Sequence, residues 1–277
     1  MSYKSLLVCL DERDRSQVTA AVAVQLAAKF QAQLIGAYLS SFARAWPAYG
    51  LDMGMGMAAV DSEVLKLAAE YAANTEAMFR AKADAASRPV ANWLALDNAS
   101  WTEIAAAARC MDLCVIGQAE LAGEAASYSP ELPGVLALGS GRPVFVVPSV
   151  GEYDTIGERV LIAWNGQREA ARAVFDAIPF LDKASRVTAV AVGPLPRWST
   201  GDELKAYLSY RGIQAEVEHV PSTEMDVGDL LLSRAADLNA DLLVMGTYGH
   251  SRLRELVFGG VTRGILRHMT LPILMSY

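Results

Sequence analysis

Cysteine is scarce in this 277-residue chain: Cys9, Cys110 and Cys114 are its whole supply. An odd number makes no disulfide framework, so a reducing compartment, the cytoplasm, is expected. The C-x-x-x-C spacing of Cys110 and Cys114 has no histidine or acidic set around it, and both read as small apolar core residues rather than metal or redox ligands. Histidine is equally scarce, with only His219, His250 and His268, and these form neither a Ser-His-Asp order nor a zinc spacing. Long apolar runs are missing too. "AAVAVQLAAKF" (20–30) falls well short of the roughly 20 residues that cross a bilayer, and "MSYKSLLVCLDERDRS" has too short an apolar stretch for a signal peptide. Positive charge does not predominate: the net charge of −7 argues against nucleic acid as the main partner. It leaves room for one mononucleotide, which needs only local donors. There is no G-x-x-x-x-G-K-[ST] loop, and the turns "LDERDRS" and "WNGQRE" lack both G-x-G-x-x-G and an adenylating glycine loop. A dinucleotide dehydrogenase and an ATP pyrophosphatase are disfavoured on those grounds.

What the chain has is apolar material, 53% of its residues, and an internal echo. "KSLLVCLDERDRSQVTAAVAVQLAAKF" resembles "ERVLIAWNGQREAARAVFDAIPFL" from residue 158, and "AAAARCMDLCVIGQ" resembles "SRAADLNADLLVMGT". Gly117 and Pro143 are separated by the same interval as Gly246 and Pro272. A Pro- and Gly-containing stretch, "PSVGEYDTIGE", joins the halves. In the second half strands are expected at 159–164, 186–192, 214–220, 241–246 and 272–276, with helices at 168–181, 201–211, 227–239 and 261–268. Continuous apolar strands such as "DLLVMG" indicate a parallel sheet covered on both faces. The fold class is therefore α/β: two tandem open parallel-sheet domains, 1–149 and 158–277, packed as an intrachain pseudo-dimer. The final strands "VFVVP" and "PILMS" are placed to pair across its interface. A homodimer of two chains is compatible with this plan. In the first half, Ser100 and Glu103 read as a capping box. A Met/Gly-rich insert at 40–60 reads as a lid or an inert solvent loop, and a helix at about 61–86 carries Val64, Leu67, Ala68, Tyr71, Thr75 and Met78 as a core stripe.

The segment "MGTYGHSRLRELVFGG" (245–260) carries the chemistry. In open parallel sheets ligands sit beyond the carboxyl ends of the strands. Gly246 ends one such strand, Gly249 can supply positive φ, and Gly259 and Gly260 stand before the last helix. The first amides of that helix lack intrahelical partners and favour an anion. Thr262 could add a hydroxyl, Arg252, Arg254 and Arg263 could offset phosphate charge, and His250 is the one histidine placed to contact a phosphate. Glycines at these points also serve as plain turn punctuation.

Gly246-Thr-Tyr-Gly249, nine residues, and then Gly259 resembles the G-x-x-G-x9-G pattern of the universal stress protein family, and "GGVTRGILRHMTLPILM" is similar to its last helix and strand. With both halves included, the chain resembles a tandem universal stress protein. The resemblance implies a Rossmann-like, adenine-nucleotide alpha hydrolase-like fold and, as in some members, ATP (or AMP or ADP) bound with Mg2+. Other members act through protein partners without a nucleotide. Carried onto this sequence, the implied pocket is Ala163, Trp164, Asn165, Val192, Met245, Gly246, Gly249, His250, Arg252, Gly259, Gly260, Val261 and Thr262. Asn165 stands where binders carry Asp, and Gly260 where they carry Ser or Thr. A lost hydroxyl hydrogen bond weakens binding by roughly 0.5–1.5 kcal/mol.

The first half is expected not to bind. Spaced from Gly117, Glu120 stands for Gly249, Pro130 for Gly259 and Glu131 for Gly260. Proline removes an amide, and Glu120, Glu124 and Glu131 would repel a triphosphate. Asp11 holds the acidic position after strand one, where a turn or cap role explains it. Gly139-Ser140 ends a helix rather than opening one. No catalytic residue is assigned, and hydrolysis of ATP is expected at most as a weak by-product.

Overall fold

The computed structural model describes residues 2–39, 62–88, 90–94, 101–119, 132–221, 226–247 and 260–277. The first half runs β1 (Ser5–Leu10), α1 (Ser16–Phe30), β2 (Gln33–Tyr38), α2 (Ser62–Ala85), β3 (Val90–Leu94), α3 (Trp101–Ala108), β4 (Leu113–Gly117), α4 (Leu132–Ser140) and β5 (Val144–Val147). The second repeats the plan with β6 (Arg159–Trp164), α5 (Arg168–Leu181), β7 (Arg186–Val192), α6 (Gly201–Ser209), β8 (Ala215–Val220), α7 (Val227–Asp237), β9 (Leu242–Gly246), α8 (Gly260–His268) and β10 (Ile273–Ser276). Local chemistry sets several of these ends. Glu203 accepts from the Thr200 amide at 3.0 Å to open α6, and Asp226 accepts from the Gly228 amide at 2.7 Å to open α7. Gln31 closes α1 in the left-handed region at φ 54°.

The strands form one sheet in the order β3-β2-β1-β4-β5-β10-β9-β6-β7-β8. Neighbours are parallel except at the centre, where Ile273, Leu274 and Met275 pair antiparallel with Val146, Phe145 and Val144. That single reversal makes the halves run in opposite directions, so the carboxyl ends of their strands lie on opposite rims of the sheet.

Two continuous cores cover the faces. One lies under α1, α2, α5 and α6, the other under α3, α4, α7 and α8, and each draws residues from both halves. At the seam Phe180 meets Phe30 edge-on at 4.8 Å and Tyr3 at 5.8 Å, and stacks on Phe145 at 5.8 Å. The Tyr3 hydroxyl donates to the Asp176 carbonyl. Residues 148–158 are sewn onto α1: Arg15 donates to the Pro148 carbonyl at 2.7 and 2.9 Å, Gln25 to Asp154 at 2.6 Å and Lys29 to Ile156 at 2.5 Å.

Two sequence expectations are corrected. Cys110 is exposed rather than buried, and the cysteine that meets Cys114 is Cys9, with the sulfurs 3.9 Å apart across β1 and β4. The hydrogen bond to Cys114 and burial push the Cys9 thiol well up, which makes it inert. On α2, Thr75 and Phe79 are buried, but Leu67 and Tyr71 are exposed, so the core stripe holds only for the later turns of the helix. Val64's side chain, the insert, Ser100, Glu120, Glu124, Pro130 and Glu131 lie outside the described residues.

Candidate functional site

The rim formed by the ends of β6, β7 and β9 and the start of α8 holds the described part of the expected pocket. Trp164 pairs with Ala191 and Ala163 with Val190, while Ile162 pairs with Val244, so the last residues of the three strands are level. Strand alternation then separates them by face. Ala163, Val192 and Met245 point to the α7–α8 side and pack there with Val261. Thr262 is buried in the first turn of α8. Trp164 goes the other way, into the α5-side core, and its indole donates to the Ser199 carbonyl at 3.0 Å. The structure therefore places Ala163, Val192, Met245 and Val261 on one face of the sheet and the Trp164 ring on the other.

Asn165 is exposed, and its Oδ1 accepts from the Gln167 amide at 3.0 Å, an Asx turn leading into α5. Behind it Gly166 sits at φ +69°, with the loop after β7 laid against it. A Cβ there would come within 2.7 Å of Pro196 and of the Ser199 carbonyl.

Gly246 and Gly260 differ in why they are glycine. A Cβ on Gly246 would lie 2.5 Å from the Glu169 carbonyl carbon and 2.6 Å from the Ala170 nitrogen, so this glycine admits the first turn of α5 against the end of β9. Sequence reasoning placed it at the end of a strand as part of a ligand segment and missed that packing role. The available signal was its place at the end of a buried strand beside a strand-to-helix turn. Among the described residues a Cβ on Gly260 would meet nothing within 4 Å, and its backbone is not left-handed. The first turn of α8 reads Gly260-Val261-Thr262-Arg263, without an acid of its own, so its amides and dipole favour an anion. Gly249, His250, Arg252, Arg254 and Gly259 lie outside the described residues. Of the other histidines, His219 lies in β8 and His268 closes α8.

The matching rim of the first half is differently furnished. Asp11 is 3% exposed. Its Oδ1 accepts from the Ser16 hydroxyl at 2.7 Å and the Arg13 amide at 3.1 Å, and its Oδ2 accepts from Arg13 Nε at 2.7 Å. The Tyr38 hydroxyl bonds Glu12 at 2.8 Å. Asp11 is thus a turn and cap residue already neutralised by an arginine of its own chain.

These residues fit an adenine nucleotide as far as they are described. Small and apolar side chains offer a face to a base, an exposed amide side chain stands beside them, and an acid-free helix start faces the same rim. Among the described residues no cluster of three or more His, Cys, Asp or Glu could hold a metal ion.

Residues 158–276 match the universal stress protein family. A universal stress protein of Synechocystis is 28% identical over 141 residues, which cover 48% of this chain and 46% of that protein; the chain thus aligns with under half the length of this relative. Among solved structures, a universal stress protein from Archaeoglobus fulgidus aligns over 100% of this chain and 99% of its own, with TM-score 0.69 and 15% identity. A functionally unknown protein from Pseudomonas aeruginosa aligns over 99% of this chain and 92% of its own, with TM-score 0.58 and 14% identity. At such identities the likeness establishes the fold: α/β, with a mostly parallel sheet across the whole chain. No described helix is long and apolar enough to cross a membrane.

Proposed function

We propose that the chain is a tandem universal stress protein, with domains at 1–149 and 158–277, whose second half binds one adenine nucleotide and acts as a cytoplasmic, nucleotide-dependent regulator of a stress response. The carrying observation is that the Ala163, Val192 and Met245 side chains, at the carboxyl ends of β6, β7 and β9, share one face of the sheet with α8, whose first turn carries no acid. In this reading the apolar side chains and the Trp164 backbone receive the base, and Asn165 orients the sugar. The amides of Gly260, Val261 and Thr262, with Gly246, Gly249, His250, Arg252 and Gly259, hold the phosphates. ATP with Mg2+ is the expected ligand, with ADP or AMP as relatives. When bound, the nucleotide would supply a compact negative charge to the amides at the start of α8. The first half holds none, since Arg13 already occupies Asp11.

Isothermal titration with ATP and magnesium tests this reading. Saturable heat with a stoichiometry of one per chain supports it, and Gly249→Glu should abolish that heat. Absence of heat and of thermal shift at millimolar ligand sinks it.

A second reading, a nucleotide-independent adaptor acting through protein partners, is favoured by two aromatic side chains on the second half, Trp198 and Tyr210, which are 75% and 87% exposed. Partner recovery that depends on Trp198, Tyr210 or residues 50–57 and ignores ATP would favour it.

A further inference from the structure

The carboxyl end of α8 is held from outside its own half. Gln118, the residue after β4 of the first half, is 5% exposed. Its Nε2 donates to the Leu266 carbonyl at 2.8 Å and the Arg267 carbonyl at 3.3 Å. Its Oε1 accepts from the Ser149 amide at 2.7 Å, and its own amide donates to the Val147 carbonyl at 2.7 Å. Leu266 and Arg267 are among the last four residues of α8, whose carbonyls have no partner inside the helix. The joining segment lies close by: the Tyr153 hydroxyl donates to the Val150 carbonyl at 2.6 Å and sits 3.3 Å from the Thr270 carbonyl, in the turn that follows α8.

The matching residue in the second half, Thr247, does nothing comparable. Its amide and hydroxyl both go to the Ser276 carbonyl, at 2.8 and 3.2 Å, within its own half. The internal symmetry is broken at this position: the residue that would open a glycine segment in the first half caps a helix of the second.

We infer that Gln118 is a positioning residue for α8, and that through it the first half sets how well the second-half site holds its ligand. The ligand part of this inference rests on the nucleotide reading above. The lever is short. From Leu266 to Gly260 is six residues, about 9 Å along a helix at 1.5 Å per residue. A nine-residue helix is not stable by itself, so its order depends on what grips it, and a loosened carboxyl end would let the phosphate-facing end drift as well.

The test uses the full-length chain with Gln118→Met, which keeps the shape and removes both hydrogen-bonding groups, and with Gln118→Glu. The glutamate keeps an acceptor for Ser149 and, when ionised, sets a negative charge against the negative end of α8. Hydrogen exchange should rise about tenfold over residues 260–268 in Gln118→Met and more in Gln118→Glu near neutral pH, while α1 and α5 keep wild-type protection. Lowering the pH to protonate the new carboxyl restores a donor, so it should recover part of the α8 protection in Gln118→Glu and none in Gln118→Met. ATP with magnesium should bind each variant several-fold more weakly than wild type.

Unchanged exchange over α8, or an equal rise throughout the chain, overturns the positioning role. Loosened α8 with wild-type affinity overturns the coupling and leaves the nucleotide reading standing. No ATP binding by wild type removes that reading and the coupling together, and the exchange data still decide whether Gln118 anchors α8.

Discussion

The two rims of the sheet started from one plan and ended with different chemistry. On the first-half rim Asp11 is enclosed by Ser16 and Arg13, and Gln118 reaches across to the other half. On the second-half rim Asn165 closes a local turn, and among the described residues nothing lies within 4 Å of a Cβ on Gly260. The same fold can thus carry an acid after strand one that is taken up by its own chain, or an amide that is not. An acid after strand one proves nothing about binding until its partners are known: the rim with the acid is the closed one.

The contrast holds only while the halves are joined, so the largest expected effect comes from breaking the seam. Phe180→Ala removes a fully buried ring that touches Tyr3, Phe30 and Phe145. It should cost about 3–5 kcal/mol in denaturant unfolding and weaken both halves together, because the core beneath is continuous.

Next comes the comparison of the two glycines. Gly246→Ala forces a methyl against the α5 backbone and should cost about 1–3 kcal/mol. Gly260→Ala meets open space and should leave stability unchanged or raise it by up to about 1 kcal/mol. Equal costs in urea melts would undo the distinction drawn between them.

Alkali offers a third probe of the seam. Burial, followed by the charges of Asp176 and Asp112, pushes the Tyr3 phenol well above its ordinary value. A raised folded value means the contribution to stability is complete below the unfolded phenol's range, near pH 10, and is lost as pH climbs toward the folded value. Stability of the wild type should therefore fall above about pH 10, and Tyr3→Phe should flatten part of that fall.

The smallest effect sharpens the open rim itself. Gly260→Ser restores a hydroxyl where nothing obstructs it and should tighten ATP binding by about 2- to 10-fold, the equivalent of one hydrogen bond. Calorimetry on the variant would show no gain if the phosphates do not reach α8.

Much of the fold was legible because the strands carry their own punctuation. β6, β7 and α5 fall at the residues expected from apolar runs bounded by Gly, Asn and charged turns, and the "VFVVP"–"PILMS" pairing follows from the repeat. What stayed hidden depends on neighbours distant in sequence. Nothing local marks Cys9 as Cys114's partner, since that contact needs β1 and β4 side by side. Continuous apolar strands do not say which face a residue takes, so Trp164 and Ala163 looked equivalent. Gln118 drew no notice because its partners lie 148 and 149 positions away. The Gly246 requirement comes from the α5 backbone rather than from anything in its own loop.

The antiparallel seam between β5 and β10 has a consequence for assembly. It is the contact two equal subunits would make about a two-fold axis, with each final strand facing its counterpart. Because one chain supplies both sides, that isologous surface is already closed. A second copy of the molecule has no seam left to share and must add through the outer edges, β3 or β8, or through the helical faces.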